Sequence, residues 1–229
     1  MGSACWPASL PPVAYSAAVT ESVIFDCDGV LVDTETAANA VLSELLAEIG
    51  VPTTSEEAIA TYMGRSWASC VEIVTGKLGH PPPADFGERY RTCVAAAWKR
   101  DLRPVPGVVE ALDAIAQPSC VASSGEHERM RLTLGLTGLL PRFEGRIFSA
   151  TEVEHGKPAP DLFLHAAAGM GFEPATTVVV EDTVPGVRAG RAAGMRVLAF
   201  ARLVSADDLA ASGGEVFDDM RDLPSLLSD

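Results

Sequence analysis

A single short apolar run, Ser22 to Phe25 (SVIF), is cut off from every other strand-like segment of this chain by a long block that reads as helix after helix. From Arg103-Pro104-Val105-Pro106-Gly107 onward the character changes. Strand patterns at Cys120–Ser123, Arg146–Phe148, Thr177–Val180 and Arg196–Phe200 alternate with helical patterns at Val108–Ala116, Glu126–Leu134, Pro160–Met170 and Pro185–Ala193. Such alternation builds βαβ units, because parallel neighbours can be joined only by a crossover, usually a helix. An isolated strand has no partner, so Ser22–Phe25 must join the same sheet. The expected class is therefore α/β, a parallel sheet with a helical insertion after its first strand.

Within the insertion the periodicity predicts a helix from about Thr34 to Ile49, with Thr34 as its N-cap and Gly50 as its stop. Further helices are expected at Ser55–Tyr62, Ser66–Leu78 and Ala84–Lys99, punctuated by Gly64, Gly79 and Pro81-Pro82-Pro83. The domain boundaries that follow are an N-terminal extension over 1–20, a core over 21–36 and 104–229, and a helical unit over 37–103. The extension is broken by Pro7, Pro11 and Pro12 and lacks a basic n-region, so it reads as disordered rather than as a signal peptide.

Composition narrows the partners. The chain has 229 residues, 48% of them apolar, which is ample for a core. Its formal net charge of −14 sets it against nucleic acid and anionic lipid, so neither is expected as a partner. No apolar run reaches the ~18 residues that read as a membrane-spanning helix. Five scattered cysteines without a CxxC pair argue against a disulfide framework or a zinc site. A reducing, cytoplasmic setting is the expectation; the pattern leaves the oligomeric state open.

Ligands of open parallel sheets bind outside the carboxyl ends of the strands. Those ends carry Phe25-Asp26-Cys27-Asp28-Gly29-Val30-Leu31-Val32-Asp33-Thr34, then Ser123-Ser124-Gly125, then Gly156-Lys157-Pro158, then Glu181-Asp182. Asp26, Asp28, Glu181 and Asp182 packed together repel by about 1–4 kcal/mol per close pair. A divalent cation relieves that cost, and oxygen ligands without His or Cys select Mg²⁺. With Mg²⁺ and Lys157 one negative charge remains. A proton on Asp28 brings the site to neutrality and admits a phosphate dianion. Two carboxylates two residues apart at a strand end point the same way. One can attack phosphorus while the other shuttles a proton. Gly29 allows a tight turn that turns backbone amides, that of Cys27 among them, toward phosphoryl oxygens.

Taken in order, FDCDGVLVDT, the Ser123 tip, Lys157-Pro158 and Glu181-Asp182 resemble the four motifs of the haloacid dehalogenase superfamily, in particular its phosphatase and β-phosphoglucomutase-like branch. The resemblance covers roughly residues 21 to 200. It implies a Rossmann-like core with the helical insertion as a cap. It also implies Asp26 as nucleophile and Mg²⁺ ligand, and Asp28 as acid/base and, through its carbonyl, a further ligand. Asp182 would complete the metal site, with Glu181 acting through water or directly. Ser123 (or Ser124) and Lys157 would hold the phosphoryl group of a small phosphorylated metabolite, a sugar phosphate above all.

Departures from the mutases point toward hydrolysis. Their cap histidine falls near Ala38, the cap loop reads Met63-Gly64-Arg65-Ser66-Trp67 with Arg65 displaced, and Glu126 stands where they carry lysine. A sugar-phosphate mutase and a non-catalytic binding protein of the same fold are the alternatives. Arg65 and Trp67 are candidate specificity residues, though a tryptophan in a helical unit usually packs. Gly186, Gly190 and Gly194 predict a helix lying close on the sheet.

Overall fold

The computed structural model describes residues 19–62 and 67–228. Six parallel strands form one sheet in the order β3-β2-β1-β4-β5-β6: β1 Ser22–Phe25, β2 Ser119–Ser123, β3 Ile147–Ser149, β4 Thr177–Glu181, β5 Arg196–Phe200 and β6 Glu215–Phe217. The first strand lies in the middle, pairing Val23 with Ser119 on one side and Ile24 with Val179 on the other. Its uninterrupted apolar run is the pattern of a strand buried on both faces.

The two-residue period sorts the side chains. Val23, Phe25, Val121, Val178, Val180 and Leu198 pack on one face with α5 (Val108–Ala114), α6 (His127–Leu136), α7 (Leu140–Phe143) and the C-terminal α11 (Leu223–Leu226). Ile24, Cys120, Ala122, Val179, Val197 and Ala199 pack on the other with α8 (Asp161–Met170), α9 (Val184–Ala192) and α10 (Ala206–Ala211). This is a Rossmann-like α/β fold. Helices α1 (Thr34–Glu48), α2 (Ser55–Tyr62), α3 (Trp67–Leu78) and α4 (Phe86–Asp101) follow β1 and share a third apolar cluster that includes Leu42, Leu46, Ala58, Val74 and Val94. Two short crossings join them to the sheet: the Asp33 amide donates to the Arg103 carbonyl, and that of Val105 to Leu31.

Three local expectations need correction. The N-cap of α1 is Asp33, whose carboxylate accepts from the Thr36 amide, while Thr34 is buried and donates its hydroxyl elsewhere. Of the three glycines around α9, Gly186 and Gly190 do lie where a Cβ would collide, the latter 2.7 Å from Val197 Cγ2. Gly194 meets nothing and instead takes φ +78° as the helix ends. Finally, α7, α10, β6 and α11 have no counterpart in the sequence reading. They are short, and β6 is an edge strand with Glu215 and Val216 exposed and only Phe217 buried, so no periodicity marks it.

Connections leave β1 and β4 toward opposite edges of the sheet, which opens a crevice at their carboxyl ends. That is where the site lies.

Candidate active site

Asp26 follows β1 directly, is 6% exposed, and has its amide held by the Val180 carbonyl at 2.9 Å. Lys157, on the segment leading into α8, reaches it with Nζ 2.5 Å from Oδ1 and also contacts Glu181 Oε1 at 2.7 Å. The lysine side chain is buried and its ammonium lies 4.9 Å over the Phe163 ring. Burial pushes the Asp26 carboxyl up to about 7 against the pull of Lys157, while its two carboxylate partners raise the lysine despite burial.

At the tip of β4 the adjacent acids have different surroundings. Glu181 Oε2 accepts from the Thr183 amide and hydroxyl, so with Lys157 on Oε1 both of its oxygens are engaged. Gly186 must lack a side chain for this, since a Cβ there would stand 1.7 Å from Oε1. Asp182 is also buried, yet among the described residues its Oδ1 has no hydrogen-bond partner. Burial, then the charges of Glu181 and Asp26, hold its carboxyl well above the ordinary range. Its Oδ2 comes within 2.0 Å of where a Gly29 Cβ would be, and Gly29 sits at φ +81°. Only glycine fits both demands.

Asp28 has other partners: Oδ1 accepts from Thr34 Oγ1 at 2.8 Å, and Oδ2 pairs with Arg129 at 3.0 Å. The guanidinium lies 5.1 Å over the Trp98 ring of α4, so α6 and α4 meet above this acid. Ser123 is buried with Oγ accepting from the Gly125 amide at 3.3 Å, whereas Ser124 is exposed into the cavity. The Cys27 side chain is core, its thiol pushed up by burial, and its carbonyl accepts from the Leu31 and Val32 amides. Trp67 stacks on Tyr90 at 5.1 Å and on Phe86 at 5.8 Å. Arg65 lies outside the described residues.

Asp26, Asp28, Ser123, Ser124, Lys157, Glu181 and Asp182, from four chain segments, thus border one cavity of about 310 Å³. A second space of about 630 Å³, between the strand ends and α1–α4, shares Asp28, Glu35, Ser124, Lys157, Thr183 and Pro185 with it. Arg129, Glu35 and Tyr62 also border this larger space, and sequence reasoning did not single them out. Arg129 had a positional signal, standing in the first turn of the helix that follows the Ser123 tip.

The haloacid dehalogenase-like hydrolase pattern matches residues 23–200, most of the chain. The chain belongs to that family. A haloacid dehalogenase-like protein of Agrobacterium tumefaciens is 38% identical, with TM-score 0.83 over 90% of this chain and 97% of that one. A family hydrolase from Deinococcus radiodurans, solved with bound phosphate and sodium, is 30% identical at TM-score 0.83, covering 92% and 96%. Among characterised relatives, the 6-phosphogluconate phosphatase of Escherichia coli is 32% identical over 181 residues, 79% of this chain and 82% of that protein.

The donor set suits a hard cation. Among the described residues no three His, Cys, Asp or Glu side chains form a ready-made cage. Mg²⁺ does not require one, since it takes one or two carboxylates and completes its shell with water and phosphate. The unpartnered buried Asp182 oxygen is the kind of atom such an ion satisfies.

Proposed function

We propose that this haloacid dehalogenase-like hydrolase is a Mg²⁺-dependent phosphomonoesterase acting on a small phosphorylated metabolite of the sugar-phosphate class. The observation that carries the reading is Asp26, buried at the end of the central strand, with Lys157 on one carboxylate oxygen and the unpartnered Asp182 oxygen in the same cavity. Mg²⁺ would be held by the carboxylates of Asp26 and Asp182 and the carbonyl of Asp28, and when bound it supplies positive charge against the phosphate. Phosphate bound together with a cation in the Deinococcus radiodurans hydrolase supports the pairing.

Asp26 attacks phosphorus and forms an aspartyl phosphate as the ester oxygen departs. Lys157 orients the nucleophile and balances charge on the transferring group, while Ser123 or Ser124 and the backbone amides of the Asp26–Gly29 turn hold its oxygens. Asp28 gives a proton to the leaving alcohol and later takes one from the water that hydrolyses the intermediate. Helices α1–α4 act as a cap that excludes bulk water. Arg129 supplies a cation that the sequence-based charge reckoning lacked, and that arithmetic, which needed a proton on Asp28 for neutrality, shifts accordingly. Ala38 and Glu126 remain the reasons to favour hydrolysis over intramolecular transfer.

The test is phosphate release by Asp26→Asn. The expected loss is at least about 10³-fold in kcat with the fold intact by circular dichroism. Retained turnover would rule out the covalent route.

A further inference from the structure

An alcohol departing from phosphorus near Lys157 lies in the larger space beneath α1–α4, and the polar groups there have an unusual balance. Tyr62 borders that space, is 4% exposed, and among the described residues its hydroxyl has no hydrogen-bond partner. Such a group is costly to bury unless something pairs with it. The carboxylate of Glu35 borders both cavities, and no hydrogen bond or ion pair among the described residues holds it. Burial, then the charge on Asp28, raise its carboxyl above the ordinary range. Asn39 is buried on the same helix face, one turn beyond Glu35, and Trp67 and Tyr90 form an aromatic wall.

The cations bordering this space are already committed. Lys157 is shared between Asp26 and Glu181. Arg129 pairs with Asp28 and lies against Trp98. Lys77 lies 5.4 Å over the Tyr62 ring but does not border the space. Among the described residues that do border it, a leaving group with its own carboxylate would therefore meet Glu35 without an uncommitted cation, whereas hydroxyls can donate to Glu35 and pair with Tyr62.

We propose that Glu35 and Tyr62 are specificity-determining residues and that they select an uncharged, hydroxyl-rich leaving group over one bearing a carboxylate. The inference rests on the phosphatase reading above and narrows it. It also separates this chain from the substrate in the name of its Escherichia coli relative, a phosphorylated sugar acid.

Glucitol 6-phosphate and 6-phosphogluconate share one carbon skeleton and differ only in whether the terminal carbon is a CH₂OH or a carboxylate. Phosphate release from each, with Mg²⁺ present, should favour glucitol 6-phosphate by about tenfold or more in kcat/KM. Glu35→Gln should move that ratio toward one, and Tyr62→Phe should lower kcat/KM for glucitol 6-phosphate several-fold. Preference for 6-phosphogluconate in the natural chain overturns the proposal, as does a ratio that Glu35→Gln leaves unmoved. Should either variant fail to fold, the natural chain's ratio decides alone. Release from p-nitrophenyl phosphate but from neither polyol compound also overturns it, leaving the phosphatase reading intact. Release from none of the three overturns that reading as well.

Discussion

On the proposed reading, Asp182 is a single residue placed for function at the expense of stability. Its buried carboxyl faces the charges of Glu181 and Asp26, and among the described residues one of its oxygens has no partner. Because its folded value lies above the ordinary one, the folded chain keeps a proton that the unfolded chain has released, so the group opposes folding increasingly as pH rises past the usual carboxylate range. Asp182→Asn should therefore stabilise the metal-free protein, and the more so the higher the pH. Thermal melts in EDTA should show a larger gain at pH 8 than at pH 4.5, while phosphate release is lost. A variant less stable than the parent at pH 8 would mean that the carboxylate is held by something other than a cation. Gly29 is bound to the same atom: Gly29→Ala drives a Cβ toward Asp182 Oδ2 in a left-handed backbone. Activity should fall by orders of magnitude, measured as phosphate release.

Among the elements, α9 depends on close approach. A Cβ at Gly190 would stand 2.7 Å from Val197 Cγ2 and 3.4 Å from Val179 Cβ, so Gly190→Ala pushes the helix off β4 and β5. Overpacking of this kind costs about 1–3 kcal/mol, and chemical denaturation should report it as a lower midpoint. The elements also show what a sequence makes legible. β1, β4 and β5 are buried on both faces and announce themselves as apolar runs, and the tips of β1 and β4 carry acids whose spacing has a chemical meaning. Edge strand β6 and four-residue helices such as α7 bury too little to leave a pattern. Arg129, Glu35 and Tyr62 were hidden for another reason. A polar residue on a helix that faces a cleft reads in sequence like one facing solvent, and only the folding of α1–α4 over the strand ends tells them apart.

At the scale of the whole molecule, three apolar clusters serve two tasks. Those on the two faces of the sheet fix the strand ends, and the one within α1–α4 supports the surface above them. The net charge of −14 is opposed at the proposed site by Lys157 and Arg129 only in part, because the carboxylates of Asp26, Asp28, Glu35, Glu181 and Asp182 border the same cavity. On the proposed reading a bound cation is needed to admit an anion there. That cation should also add to stability: Mg²⁺ at a hundredfold excess over its dissociation constant is worth about 2.7 kcal/mol. Melts with and without Mg²⁺ should differ for the natural chain and coincide for Asp182→Asn. Equal shifts in both would place the cation elsewhere.

The covalent step proposed at Asp26 is tested most directly by trapping. Protein mixed with a phosphorylated substrate and Mg²⁺, quenched in acid and reduced with borohydride, should carry homoserine at position 26 when its peptides are sequenced by mass spectrometry. Homoserine at Asp28, or an unmodified Asp26 in samples that are turning over substrate, would contradict it.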